Sequence, residues 1–322
     1  MKSKRVEINL GFLCNNRCKF CITNVPFGQR RFSRLQVLKK ELKSYYKKGY
    51  RALGFLGGEP TIYPGITELV SYARKLGYNE IHIVSNGRRY SDKKFLEGLI
   101  KSGATKFYVS IHSHKANLED YLTSVKGSFK EKIKGLSNLK GFFDKGLIKN
   151  SILLNTVINK VNYKYLDKII RFYHKRGFSD FRFDFIRPVG SALRNADTMV
   201  PRYSRVMEYV KKSLGVAQSL GVNLTFGAIP LCLFWRYNIK VPRHCIGDFT
   251  DTGTESSLGE NNTIKRFVIS QTRKGRYKVK RKACKDCVFN CACEGIWKEY
   301  VKLYGFREIR PVISLKKELY SP

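Results

Sequence analysis

From the N-terminus to about residue 190, short runs of β-branched and aromatic residues alternate with longer stretches of helical periodicity, and this alternation restricts the fold more than any other feature. Strands are expected at about 6–13, 51–56, 79–85, 105–111, 151–158 and 180–186, with helices between them at about 33–48, 65–76, 91–102, 127–145 and 162–176. Gly49, Gly77, Gly103 and Gly177 fall at the helix ends. Six β–α units around a parallel sheet define an α/β chain, and six such units close partly into a TIM-like (β/α)6 barrel. Ligands of parallel α/β folds sit at the carboxyl ends of the strands, so functional residues belong just after each one.

After Pro188 and Gly190 the pattern changes to one more helix at about 202–220, a short strand near 222–226, and a cysteine-bearing region of little periodicity. The expected division is a core over 1–190, a connecting helix and strand over 191–231, and a small cysteine-rich extension over 232–322. Within the extension, Asp248 to Asn262 is polar and glycine-containing and reads as a loop. A hairpin of Lys265–Ser270 with Tyr277–Lys282 is expected after it.

At 322 residues and 43% hydrophobic content the chain can bury a large core. It has no run of 18 apolar residues, and Met1 to Arg5 does not lead into a signal-peptide core, so no membrane span and a cytoplasmic location are expected. Nine cysteines fall in two tight groups, with Cys232 and Cys245 apart, a distribution suited to metal ligation in a reducing compartment rather than to disulfides. Against 25 Asp and Glu stand 62 Lys and Arg, a formal charge of +37 that favours an anionic macromolecular partner. Basic residues crowd at 29–34 and again at 273–282, where Tyr277 and Val279 interrupt them. That second run reads either as a solvated edge or as a nucleic-acid-facing ribbon.

Cys14, Cys18 and Cys21 put three thiolates within eight residues after the first strand. Structural zinc takes a closed tetrahedron, whereas a cubane iron–sulfur cluster held by three thiolates leaves one iron open for chemistry. On spacing alone, zinc and buried free thiols stay open as readings. The loop after the second strand runs Gly57-Gly58-Glu59-Pro60-Thr61, with two glycines that permit close backbone approach to a ligand and a proline that stiffens the exit.

Together, the C-x3-C-x2-C run and this loop one β–α unit later resemble the radical S-adenosylmethionine superfamily. The resemblance implies that Cys14, Cys18 and Cys21 ligate a [4Fe–4S] cluster whose fourth iron chelates the amino and carboxylate groups of S-adenosylmethionine. It implies that Gly57, Gly58, Glu59 and Pro60 receive the methionine ammonium, that Phe20 lies near adenine, and that Ser85, Asn86, Ser110 and Asn155 line the ribose and methionine. His112 and His114 read as polar rim residues, Phe183 and Phe185 as core, and Asp184 and Arg187 as candidates for substrate contact. Leu118 to Phe129 resembles the HD-x-x-T-x-x-x-G-S-F segment of family members that modify peptides or larger molecules, with Glu119 in place of the histidine. Thr123 and Gly127-Ser128 are expected to cap the next helix.

Cys284-x2-Cys287-x5-Cys293 is similar to the start of the family's SPASM or Twitch extension, followed by Gly295, Tyr300 and Gly305. Cys291 or Cys293 serves as third ligand, Trp297 replaces a further cysteine, and Cys232 or Cys245 supplies the fourth, which implies one auxiliary [4Fe–4S] cluster; a zinc knuckle is the alternative. As an enzyme of this kind, the chain would cleave S-adenosylmethionine to a 5′-deoxyadenosyl radical and abstract hydrogen from its substrate, with a flavodoxin or ferredoxin as reductant. The basic charge favours RNA such as tRNA or rRNA as that substrate. The alternative is a maturase of an acidic peptide or protein; small-molecule, lipid and purely electron-transfer roles follow.

Overall fold

Parallel strands in sequence order form the body of the protein. The computed structural model describes residues 5–23, 25–240, 254–258, 264–268 and 277–314. Strands β1 (Arg5–Asn9), β2 (Ala52–Leu56), β3 (Glu80–Ser85), β4 (Lys106–Ser110), β5 (Ile152–Ile158), β6 (Asp180–Phe185) and β7 (Asn223–Gly227) lie side by side, all parallel. The helices that follow strands β1 to β6 are α1 (Leu35–Lys47), α2 (Ile66–Leu76), α3 (Lys93–Lys101), α4 (Ala116–Thr123) with α5 (Ser128–Asp144), α6 (Leu166–His174), and the short α7 (Ser191–Arg194) and α8 (Ala196–Met199) before the long α9 (Tyr203–Ser219). This is a partial TIM-like barrel.

Seven parallel strands replace the six expected, because the segment over 223–227 pairs with β6 in register Phe183↔Phe226 instead of leaving the sheet. Strand β1 is shorter than expected: after Asn9 the chain leaves the ladder, and residues 10–13 turn into the loop that carries the first three cysteines. Strand β6 shows how the sheet divides its faces. Phe181, Phe183 and Phe185 are buried while Asp180, Arg182 and Asp184 alternate onto the other face. Helix α2 turns Ile66, Leu69, Val70 and Ala73 inward and stops at Gly77, whose φ of +102° lets its N–H reach back to Ala73 and Arg74. Burial of such side chains contributes about 1.5–3 kcal/mol each.

Beyond the barrel, α10 (Leu231–Arg236) precedes β8 (Thr254–Leu258) and β9 (Ile264–Val268). The loop and hairpin expectations are corrected here. Strand β8 runs parallel beside β1, and β9 pairs antiparallel with β8 rather than with 277–282. The polar sequence of β8 suits a strand toward the sheet edge, which is why composition made it look like a loop. Strand β10 (Lys278–Val279) instead pairs with β11 (Ile296–Trp297), ahead of α11 (Lys298–Tyr304). Cys245 and residues 273–276 of the basic run lie outside the described residues.

Aromatic packing fixes the C-terminal unit to the barrel. Phe185 stacks on Tyr203 at 4.0 Å between ring centroids, and the Tyr300 hydroxyl accepts the Tyr203 N–H at 3.0 Å while bonding to Glu308. Among the described residues no helix is long and apolar enough to cross a membrane.

Candidate active site

The first cysteine loop is held from three sides. Gly58 N–H donates to Gly11 O at 2.7 Å and Glu59 N–H to Leu13 O at 2.8 Å. A Cβ on Gly58 would lie 2.1 Å from Leu13 O, and one on Gly57 would lie 2.6 Å from Gly11 O. The two glycines are therefore required first for the contact between the loops after β1 and β2. Sequence suggested approach to a ligand; the structure adds approach to the neighbouring chain.

Glu59, buried, caps the turn over Pro60–Ile62 and joins the loops after β2 and β3. One carboxylate oxygen accepts from Thr61 N at 3.0 Å, Thr61 Oγ1 at 2.6 Å and Ser85 Oγ at 2.7 Å; the other accepts from Asn86 N at 2.7 Å. Ser85 in turn accepts from Gly87 N at 2.9 Å, so its hydroxyl is engaged within the protein. Asn86 donates to Asn15 Oδ1 at 2.6 Å and lies 4.0 Å from Cys14 Sγ. Arg88, which the sequence did not single out, does more: Nη1 reaches Asn15 O at 2.5 Å and Asn16 Oδ1 at 2.9 Å, and Nε reaches Glu131 at 2.6 Å. Its only sequence signal was its place just past a strand end.

On the far side, the N–H groups of Arg17 and Lys19 donate to the carbonyls of Thr123 and Leu122 at the end of α4, both at 3.0 Å. Ser191 N–H donates to Cys21 O at 2.8 Å and Asn195 Nδ2 to Lys19 O at 3.0 Å. Burial pushes the Cys14 thiol up to about 11, with Glu59 adding to the effect and the N–H of Asn16, 3.3 Å from its sulfur, opposing it. Burial also raises Cys18, with Cys14 and Cys21 reinforcing the shift. Three half-buried thiols on one loop suit deprotonation by an electropositive centre. Among the described residues no three His, Cys, Asp or Glu side chains converge on a single metal-ion position.

Phe20 is buried, its ring edge-on to His112 at 4.5 Å. The rim expectation for His112 is corrected: it is buried, its ring Nδ1 accepts from Val157 N at 3.3 Å, and its backbone N–H donates to Glu119 at 2.8 Å. Glu119 is buried too and pairs with the equally buried Lys132 of α5. Asp120 performs the capping expected of Thr123 and Gly127-Ser128, accepting from Gly127 N at 2.6 Å and Phe129 N at 2.8 Å. Ser110, at the end of β4, is the register partner of Asn155 in the middle of β5. With its amide nitrogen turned toward them, Asn155 donates to Asp184 Oδ2 at 3.0 Å and Arg182 O at 3.1 Å. Arg182 Nε bonds both oxygens of Asp184 at 3.1 and 3.0 Å, which makes a polar patch on the barrel's inner face. Arg187 lies over the rings of Tyr277 at 4.3 Å and Trp297 at 4.8 Å, while Phe183 and Phe185 are core.

Three cysteines of the second group join Cys232 in one pocket, and the fourth, Cys291, does not. Cys232, Cys284, Cys287 and Cys293 line one small, largely apolar pocket with Phe289, Ile296 and Ile309. Burial pushes Cys232 up to about 12, and the charges of Cys293, Cys287 and Cys284 add to it. Val312 N–H and Gly295 N–H each point at a sulfur, Cys287 and Cys293, at 3.3 Å. Cys291 is exposed and outside the cavity. Trp297 is buried in β11, its ring 4.5 Å from Lys278 Nζ, and Lys278 pairs with Glu294 at 2.7 Å.

The chain is similar to known proteins in both sequence and fold. A GTP 3′,8-cyclase (probable) of Saccharolobus solfataricus is 25% identical over 210 residues, and one of Sulfurisphaera tokodaii is 25% identical over 185. The first match spans 64% of each chain, the second 58% of this chain and 56% of the relative. Among solved structures, Streptococcus suis SuiB bound to precursor peptide SuiA superposes with a TM-score of 0.62 at 19% identity, covering 94% of this chain and 73% of that one. Native anSMEcpe with bound AdoMet superposes at 0.58 and 14% identity, covering 92% and 89%. The sequence pattern of the Radical SAM superfamily matches residues 8–173, just over half of the chain. The chain is thus an enzyme of the radical S-adenosylmethionine superfamily, whose cofactors are a [4Fe–4S] cluster and S-adenosylmethionine.

Proposed function

We propose that the chain uses Cys14, Cys18 and Cys21 to hold the catalytic [4Fe–4S] cluster and abstracts hydrogen from a phosphate-bearing nucleotide substrate, RNA above all. The observation that carries the site is the locking of Gly58 and Glu59 N–H groups onto the carbonyls of Gly11 and Leu13, which sets the glycine loop beside the cysteine loop. With those donors committed, the carbonyl oxygens of Gly57 and Gly58 are the acceptors suited to a methionine ammonium. When bound, the cluster and S-adenosylmethionine supply the 5′-deoxyadenosyl radical. Phe20 offers a buried ring to the adenine side, Ser110 and Asn155 polar groups to the ribose, and the Arg182–Asp184 pair a charged inner wall to the substrate. Cys232, Cys284, Cys287 and Cys293 are the ligand set for an auxiliary [4Fe–4S] cluster, since four thiols line one largely apolar pocket and two of them receive N–H···S bonds.

Support for a nucleotide substrate comes from the +37 charge and from the relatives named as GTP cyclases. The basic residues are spread along the whole sequence, which suits an extended polyanion better than a single triphosphate. A peptide substrate is the second reading, favoured by the likeness of fold to SuiB. Anaerobic incubation with dithionite and S-adenosylmethionine should release 5′-deoxyadenosine, and bound RNA should dissociate steeply as salt rises. No 5′-deoxyadenosine would overturn the chemistry; salt-insensitive capture of an acidic peptide, with no RNA, would overturn the substrate.

A further inference from the structure

Helix α5 grips the turn after β3 along one stripe of its surface. Glu131, Gly135 and Asn138 follow one another at helical spacings of four and three, and so share a face. Glu131 accepts from Arg88 Nε at 2.6 Å, and the Asn138 amide donates to the carbonyls of Tyr90 at 2.9 Å and Ser91 at 3.3 Å. Between them, a Cβ on Gly135 would lie 2.4 Å from Gly87 O, so any larger residue would push the helix off the turn.

Arg88 carries this grip into the cysteine loop. Its Nη1 donates to Asn15 O at 2.5 Å and Asn16 Oδ1 at 2.9 Å, both in the span between Cys14 and Cys18. The Arg88 backbone N–H donates to Asn86 Oδ1 at 3.0 Å, which aims the Asn86 amide at Asn15 Oδ1, 2.6 Å away. The next residue of α5 reaches the other span. Lys132 pairs with Glu119, Glu119 accepts the backbone N–H of His112, and the His112 ring packs edge-on against Phe20, between Cys18 and Cys21. Two adjacent, oppositely charged residues of one helix thus reach both spans that separate the three thiols.

We propose that Arg88 is the positioning residue of the first cysteine site and α5 its support, so that the loop has its cluster-holding shape before any iron arrives. This rests on the cluster reading above. The Glu131–Arg88 fork sets the span between Cys14 and Cys18, and the chain from Lys132 through Glu119 and His112 sets the span around Phe20. A guanidinium suits the first task because its planar fork serves a carbonyl, an amide oxygen and a carboxylate at once, which a lysine point charge does not. Contacts that orient ligands from behind govern how firmly a metal group is kept.

The test uses the anaerobically reconstituted full chain and a ferrous-iron chelator. The first cluster is followed by the spin signal that S-adenosylmethionine perturbs, and the pocket of Cys232, Cys284, Cys287 and Cys293 serves as internal control. In Arg88→Met the chelator should strip the first cluster about tenfold faster than in the wild type, with the control iron leaving at the wild-type rate. Glu131→Ala and Gly135→Ala, which alter no contact made directly to the cysteine loop, should speed the loss in the same direction, and Arg88→Lys should fall between wild type and Arg88→Met. In the metal-free full chain, hydrogen exchange at the Arg17 and Lys19 amides, which bond to α4 carbonyls, should quicken in Arg88→Met. Wild-type loss and exchange rates in Arg88→Met would overturn the proposal, as would equal acceleration of both iron pools, which general destabilisation explains. Unchanged loss in Glu131→Ala and Gly135→Ala beside fast loss in Arg88→Met would overturn the part assigned to α5. If Cys14→Ser binds as much iron as the wild type, the cluster reading itself falls, and the exchange rates still decide whether Arg88 shapes the loop.

Discussion

Lys132 and Glu119 form an ion pair from which water is wholly excluded, both side chains being 0% exposed. The pair joins α5 to α4 and lies within electrostatic reach of the Cys18 thiol. Burial pushes the Glu119 carboxyl up, yet Lys132, His112 and the bonds they donate hold it on balance below its ordinary value. A depressed carboxyl contributes stability that is present above the unfolded value and lost as pH falls through the folded one.

Removing one partner leaves a buried charge alone. Lys132→Met should cost about 3–5 kcal/mol, and Glu119→Leu/Lys132→Met should cost much less than the two single changes together. Urea unfolding midpoints of the three variants decide it, and strict additivity would mean that the two charges do not depend on each other.

Glu59 invites a similar experiment with a different readout. Four donors converge on its carboxylate, so Glu59→Gln sets an amide N–H2 against donors whichever way it turns. The expected loss is about 2–4 kcal/mol of stability. Because the same carboxylate ties Asn86 beside Cys14, S-adenosylmethionine affinity measured by calorimetry should weaken as well. Full affinity in a destabilised variant would confine Glu59 to a structural role.

Much of the barrel was legible because buried parallel strands and amphipathic helices leave strong periodic marks, and Gly77 and the other helix-ending glycines mark the breaks. Strand β7 was placed as a strand but not in the sheet, since pairing with β6 is a long-range choice that no local residue pattern encodes. Strand β8 was missed because its run of Thr254, Glu255, Ser256 and Ser257 carries loop composition. The C-x3-C-x2-C run and the glycine loop were legible from spacing. Arg88 and Lys132 were not, as a lone cation in a chain with 62 of them carries no signal until the fold buries it against a partner. The choice between Cys291 and Cys293 likewise needed three dimensions: two residues apart, one is exposed and the other lines the cavity.

That choice gives a direct chemical prediction. Anaerobically reconstituted protein should hold about eight iron per chain, and Cys291→Ser should leave that number unchanged. Cys232→Ser or Cys293→Ser should lower it toward about four, with the spectrum of the first cluster retained. Cys14→Ser should instead remove the iron that S-adenosylmethionine perturbs spectroscopically. Loss of iron in Cys291→Ser together with retention in Cys293→Ser would reverse the ligand assignment.

The last prediction concerns acid. Burial pushes the His112 ring down to about 4, with Glu119 opposing and Lys132 reinforcing the shift. The ring is thus neutral at pH 7, with its Nδ1 free to accept the Val157 N–H and its face packed against Phe20. Unfolded histidine takes up its proton near 6.5, so between 6.5 and about 4 the unfolded chain binds the extra proton and folding weakens as pH drops. The span corresponds to about 3 kcal/mol, complete at pH 4 and absent above pH 7. In His112→Asn this component should vanish: the variant starts less stable at pH 7, but its unfolding midpoint should decline less steeply than that of the wild type between pH 6.5 and 4.5. Parallel declines in the two proteins would show that acid acts elsewhere, with the depressed carboxyl of Glu119 the next group to vary.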